Sequence, residues 1–201
     1  MMLQRLRLAA LAALLAIASA GVFSADVPAD DAEPLRPRYL LMDAKGRAVT
    51  NETFPEQFQL ISFGYTFCPD VCPTTLAEVA DVMKQLGPLA ERVQPVFITV
   101  DPVRDTPVNL QQYADFFDPR IIGLSGAPAL VAKVAKNYKV RYEIVREPNA
   151  APDAYTVDHS AGLYVLAPGG NFVKKFAYGT PVSQIVDGLR QLIEQAPTPR
   201  Q

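Results

Sequence analysis

Two short, nearly all-apolar runs, QLISFGY at residues 59–65 and PVFITV at 95–100, constrain this chain most strongly. Runs of that length and composition suit strands covered on both faces, as in a parallel sheet. The segment between them carries helix signals around residues 73–86. Pro73 suits a first helical position, Thr75 and Glu78 have capping-box spacing, and Gly87-Pro88 ends the run. Strand, helix, strand in that order is a parallel unit, and such crossovers are right-handed.

The alternation continues on both sides of this unit. RYLLMDAKGRAVT reads as a hairpin that turns at Asp43-Ala44-Lys45-Gly46. After the second strand, Thr106 is an N-cap and Pro107 a first-turn proline. Leu110, Tyr113, Ala114 and Phe117 then share one helical face. RIIGLSG reads as a short strand and APALVAKVAKNYKV as an amphipathic helix. YEIVREPNAAPDAYTVD shows little periodicity and reads as a strand followed by a loop. A hairpin follows, with strands at 161–167 and 172–177 around Pro168-Gly169-Gly170-Asn171, and Thr180-Pro181 opens a last helix to about Glu194. A βαβ unit finished by ββα is the thioredoxin layout, an α/β fold with a central mixed sheet flanked by helices and here preceded by an N-terminal hairpin.

The N-terminus has a different character. Arg5 and Arg7 precede an apolar stretch from Leu8 to Ala25. It fits a cleaved signal peptide with an exit at Ala18-Ser19-Ala20 or Ser24-Ala25, or an uncleaved membrane anchor at the short end of spanning length. Arginines ahead of the span keep the N-terminus cytoplasmic and put the body of the chain across the membrane. The expected organisation is therefore a leader or anchor over 1–25, a polar, Pro-containing linker over 26–36, one domain over 37–196 and a tail over 197–201. The compartment is the periplasmic side of an inner membrane if the segment is an anchor, or the soluble periplasm if it is cleaved. The formal net charge of −2, with no basic stripe, gives no footprint for nucleic acid.

The chain has two cysteines and one histidine. Both cysteines fall in GYTFCPDVCPTTL, at the first strand–helix turn of the βαβ unit. Cys68 and Cys72 could form a structural disulfide, a redox pair or half of a metal site. As a staple the pair is poor. In the chain-entropy model, closing so short a loop stabilises by roughly 2 kcal/mol, and a long loop by more than twice that. Their place at a helix N-terminus favours thiolate over thiol, the form needed for both exchange and metal binding. The spacing departs from the C-x-x-C of typical disulfide oxidoreductases.

His159 lies in TVDHSAGLYVLAP, just before the closing hairpin. Thioredoxin-like folds place this loop against the cysteine loop, usually with a cis-proline, yet the chain has no proline between Pro152 and Pro168. An imidazole stands there instead. Two thiolates and one imidazole suit Cu(I), and imidazole also accepts Cu(II). Zinc is a weaker match, because a structural zinc site normally takes four protein ligands and no fourth Cys or His exists.

GYTFCPDVCPTTL, VDPVRDTP and VDHSAGLYVLAP together resemble the Sco/SenC family of copper chaperones, across about residues 36–195. The resemblance implies a metallochaperone that assembles the dinuclear copper centre of cytochrome c oxidase, with one copper held by Cys68, Cys72 and His159. It implies as partners the copper-receiving oxidase subunit, an upstream copper donor and a thioredoxin-like reductant, with the membrane engaged through the N-terminal segment. Asp158 precedes the ligand histidine in the family pattern as well and is a candidate to orient the imidazole or balance a cation; the alternative is a solvated loop acid. Asp101 and Arg104 are candidates to shape the site or a partner surface. The alternative function is a thiol–disulfide oxidoreductase using Cys68 and Cys72 to reduce the target's cysteines. A peroxidase-like role through one cysteine ranks third.

Overall fold

The computed structural model describes residue 35 and residues 37–151 and 153–196. The leader or anchor, all of the linker except Leu35, and the C-terminal tail lie outside these residues. Among the described residues no helix is long and apolar enough to cross a membrane.

The chain opens with strands β1 (Leu40–Met42) and β2 (Ala48–Thr50), paired antiparallel. Asp43 shapes the turn between them: its Oδ1 accepts from the backbone N–H groups of Lys45 and Arg47, each at 2.9 Å. Next come β3 (Phe58–Gly64), helix α1 (Val71–Leu86), a 3-10 turn (Gly87–Arg92) and β4 (Val93–Thr99). Helix α2 (Pro107–Asp115), β5 (Ile122–Leu124) and α3 (Pro128–Asn137) follow. A separate two-stranded sheet is built from β6 (Tyr142–Val145) and β7 (Thr156–His159). The chain closes with β8 (Leu163–Leu166), β9 (Phe172–Phe176) and α4 (Val182–Gln195).

The main sheet runs β5-β4-β3-β8-β9. β3, β4 and β5 are parallel, and β8 runs antiparallel to both β3 and β9. Every residue of β3 is buried, as its apolar run requires. Helices flank the sheet: Leu110 of α2 lies on Gly123 of β5, and Gly188 of α4 lies against the Phe176 ring of β9. Arg190 of α4 donates to the Gln85 carbonyl of α1 at 2.8 Å. This is the expected thioredoxin-like α/β fold with its N-terminal hairpin, and Met42 bridges Ser125 to dock that hairpin beyond β5.

Local details differ from the sequence reading in four respects. Helix α1 begins at Val71, so Pro73 lies inside the first turn and Cys72 is already helical. The first N–H groups of a helix have no intrahelical partner, so a proline fits anywhere in that turn and marks the start only loosely. Thr75 faces the core instead of capping with Glu78. Phe117 lies past the end of α2, its N–H bonded back to the Ala114 carbonyl at 3.0 Å. Finally, Thr156–His159 form strand β7 in place of the expected loop, in register with β6 from Tyr142↔His159 to Val145↔Thr156. Only Val157 of the four residues of β7 is buried, so no apolar run marks the strand in the sequence.

Candidate metal centre

Strand β3 ends at Gly64, and the chain turns through Thr66–Asp70 before α1 starts. That turn places Cys68 half-buried at the surface and Cys72, in the first turn of α1, at 1% exposure. Gly64 makes room for the second sulfur. A Cβ built there would lie 2.6 Å from Cys72 Sγ and 2.8 Å from the Phe97 ring, so any larger residue collides with the thiol. The requirement here is a close approach, not an unusual backbone angle.

From the other side, β7 delivers His159. Its Nε2 sits 3.4 Å from Cys72 Sγ, and the ligand atoms of Cys68, Cys72 and His159 all lie within 4.8 Å of one another. The structure thus brings together three residues that the sequence scatters, and both thiols are free. His159 Nδ1 lies 3.1 Å from the Ser160 carbonyl. A carbonyl only accepts, so Nδ1 carries the proton and Nε2 turns its lone pair toward the sulfurs. Such an outer contact fixes tautomer and ring orientation in metal-binding histidines.

The electrostatics correct one expectation. Burial raises the Cys72 thiol well above its ordinary value, reinforced by the neighbouring Cys68 and Asp105, while a hydrogen bond from the Tyr65 backbone opposes it only in part. The helix N-terminus does not prevail for this sulfur, because removing a thiolate from water costs more than a partial helix charge returns. Cys72 is therefore a thiol until something stronger than a proton takes its place. Burial also lowers His159 below its ordinary 6.5, outweighing the Ser160 carbonyl and the Asp158 charge. The imidazole is neutral at neutral pH and free to bind.

The other candidates separate clearly. Asp158 lies on the exposed face of β7. Among the described residues no hydrogen bond joins it to His159; the orienting contact comes from Ser160, and Asp158 acts only through its charge. Asp101 is buried and ion-paired with Arg104, and the pair lies between the cysteine turn and the approach to β7.

Two further residues escaped the sequence reading. Asp105 is fully buried and accepts from Thr66 N–H at 3.1 Å, Thr66 Oγ1 at 2.6 Å and Thr99 Oγ1 at 2.7 Å, fixing the turn just ahead of Cys68. Burial raises its pKa, against the pull of those hydrogen bonds. Tyr65, also buried, accepts from the Val157 N–H of β7 at 3.0 Å and sets its ring edge-on to His159, with centroids 6.1 Å apart. The only sequence signal for Asp105 was the second acid of DPVRD; Tyr65 carried none beyond its place at the end of an apolar strand.

Chemically, the centre offers two soft sulfurs and one imidazole nitrogen with an open side at Cys68, a donor set for a soft or borderline metal ion. Comparison with known proteins agrees with this geometry. The chain is 38% identical over 155 residues to the mitochondrial SCO2 homolog of Bos taurus, a match covering 76% of this chain and 58% of that protein. It thus spans little more than half the length of such mammalian relatives. The copper-bound structure of Arabidopsis thaliana ScoI is 34% identical and superimposes with a TM-score of 0.74, covering 81% of this chain and 100% of that one. Copper-bound Bradyrhizobium japonicum ScoI is 40% identical with a TM-score of 0.71, covering 79% and 99%. The sequence model of SCO1/SenC matches residues 27–194, and the chain belongs to the SCO1/SenC family.

Proposed function

We propose that this chain is a copper metallochaperone. It holds one copper ion on Cys68, Cys72 and His159 and passes it to the copper-receiving subunit of cytochrome c oxidase during assembly of the dinuclear copper centre. The observation that carries the reading is the convergence of these three donors within 4.8 Å. Membership in the SCO1/SenC family and the copper-bound state of the Arabidopsis and Bradyrhizobium relatives support it. Copper binding is gated by redox state, because Cu(I) needs both sulfurs reduced and a disulfide between them removes two of three ligands. Recharging then calls on an upstream copper donor and a thioredoxin-like reductant. The working site is the periplasmic side of the inner membrane where the apolar N-terminal segment is retained as an anchor, or the soluble periplasm where it is cleaved.

One experiment tests the scheme in sequence. Cells are fractionated, and recovery of the chain from the cytosol sinks export. The reduced full-length chain, in detergent, is then titrated with Cu(I) against a competing chelator. One tight equivalent is expected, weakened at least about 100-fold in His159→Ala, the upper end of what losing even an outer partner costs. Equal affinity in that variant ends the three-ligand reading.

A second reading rests on the two free thiols lying side by side: a reductase that keeps the target's cysteines reduced. Half-exposed Cys68 is the attacking sulfur in this case, since Cys72 is buried and protonated. Reduction of a disulfide-bonded oxidase-subunit fragment that survives His159→Ala and disappears in Cys68→Ser favours it over delivery.

A further inference from the structure

His159 stands at the end of β7, in the small β6–β7 sheet and outside the main sheet that holds the cysteine turn. His159 is the last residue of β7, and β8 begins a short step later at Leu163. At the near end the Val157 N–H donates to the Tyr65 hydroxyl, and the segment ahead of it, which carries Tyr155, is gripped by Arg104. Arg104 donates through Nη1 to the Tyr155 carbonyl at 2.9 Å and to the Asp153 carbonyl at 3.4 Å. Its guanidinium lies 3.6 Å from the centroid of the Tyr155 ring, 4.7 Å from that of Phe67 and 5.6 Å from that of Tyr65. Phe67 adjoins Cys68 in the chain. Behind this stack, buried Asp101 binds both parts: its Oδ2 accepts from Arg104 Nε, and its Oδ1 accepts from the Tyr155 hydroxyl at 2.9 Å.

We propose that Arg104 is a positioning residue for the metal site: with Asp101 and Tyr155 it clamps the strand carrying His159 against the turn carrying Cys68. The inference rests on the copper reading above. Arginine suits the task where lysine does not, because a planar guanidinium stacks on aromatic rings while its fork serves a carboxylate and carbonyls at once. Releasing the clamp frees the segment that leads into β7 while the Tyr65–Val157 bond remains, and lets the strand that carries the imidazole shift from the sulfurs with both thiols still in place. The effect of Arg104 on copper therefore runs through His159.

A double-mutant cycle tests this on the reduced full-length chain in detergent, with Cu(I) competition as the readout. Arg104→Gln is expected to weaken Cu(I) binding about 10-fold, the scale of losing a partner that orients a metal ligand. In a His159→Ala background the same substitution is expected to cost nothing further. Arg104→Lys keeps the charge that faces Asp101, which guards against misfolding, and still loses the ring stack and the fork; it is expected to weaken binding several-fold. Parental affinity in both Arg104 variants overturns the clamp, and so does an equal loss with and without His159. A parent chain that takes up no Cu(I) overturns the copper reading and the clamp with it, whereas a parent that binds while its Arg104 variants match it overturns the clamp alone.

Discussion

At the scale of single residues, Cys72 shows two general effects in opposition. Its place in the first turn of α1 lowers the cost of a negative charge, and its burial against Gly64 and Phe97 raises it. Burial wins, so the resting sulfur keeps its proton, and copper must displace that proton to bind. The sign follows directly. Higher pH removes the proton more cheaply, so Cu(I) affinity of the reduced chain is expected to rise through the neutral range, by about tenfold per pH unit for this one thiol. His159 does not blunt the trend, because its lowered pKa confines protonation to more acid solution. Competition titrations one pH unit apart across neutrality check this, and a flat profile contradicts it. At this scale the sequence was readable where residue types are scarce. With two cysteines and one histidine, few other donor sets could be drawn. Asp105 and Tyr65 were not readable, because aspartates and tyrosines are common and only the tertiary contact separates these from the rest.

At the scale of elements, helix α2 illustrates a boundary written in local chemistry. Thr106 is extended and its side chain accepts from the Asn109 N–H at 3.2 Å, while Pro107 supplies a preset first turn. Thr106→Ala is expected to lower stability by about 1 kcal/mol, read as a lower denaturant midpoint at unchanged slope. An unchanged midpoint would show that the cap contributes nothing. β3, β4 and the helices were legible for similar reasons, since runs of apolar residues and caps act within a few positions. β7 was not: its pairing with β6 spans a long loop, and its four residues carry one buried side chain, Val157. The start of α1 was misplaced because the strongest local mark, Pro73, tolerates several positions in a first turn.

At the scale of the whole molecule, the layered sheet explains how distant segments meet. β8 pairs with β3 on the side opposite β4, from Gln59↔Leu166 to Ile61↔Tyr164, and so brings the segment before it alongside the turn after β3. The overall layout followed from the order of strands and helices, whereas the separate β6–β7 sheet required the contacts themselves. A metal held by the folded arrangement and poorly by the open chain stabilises the fold by mass action. Free Cu(I) at 100 times the dissociation constant is expected to add up to about 2.7 kcal/mol, less whatever the unfolded thiols bind. Thermal melts of the reduced chain with and without Cu(I) measure this, and a chelator should restore the lower melting temperature. Equal melting temperatures would mean that the metal does not select the folded state.

The pairing of β8 with β3 also puts the site on a timetable. A chain that emerges N-terminus first displays Cys68 and Cys72 early, and the imidazole that completes the set lies 87 positions after Cys72. Until β8 has docked beside β3, the two sulfurs have each other and whatever thiols surround them, but not their nitrogen. Competence for metal is therefore a late event, acquired when the last strands close the sheet, and until then the two sulfurs must stay reduced without the imidazole beside them.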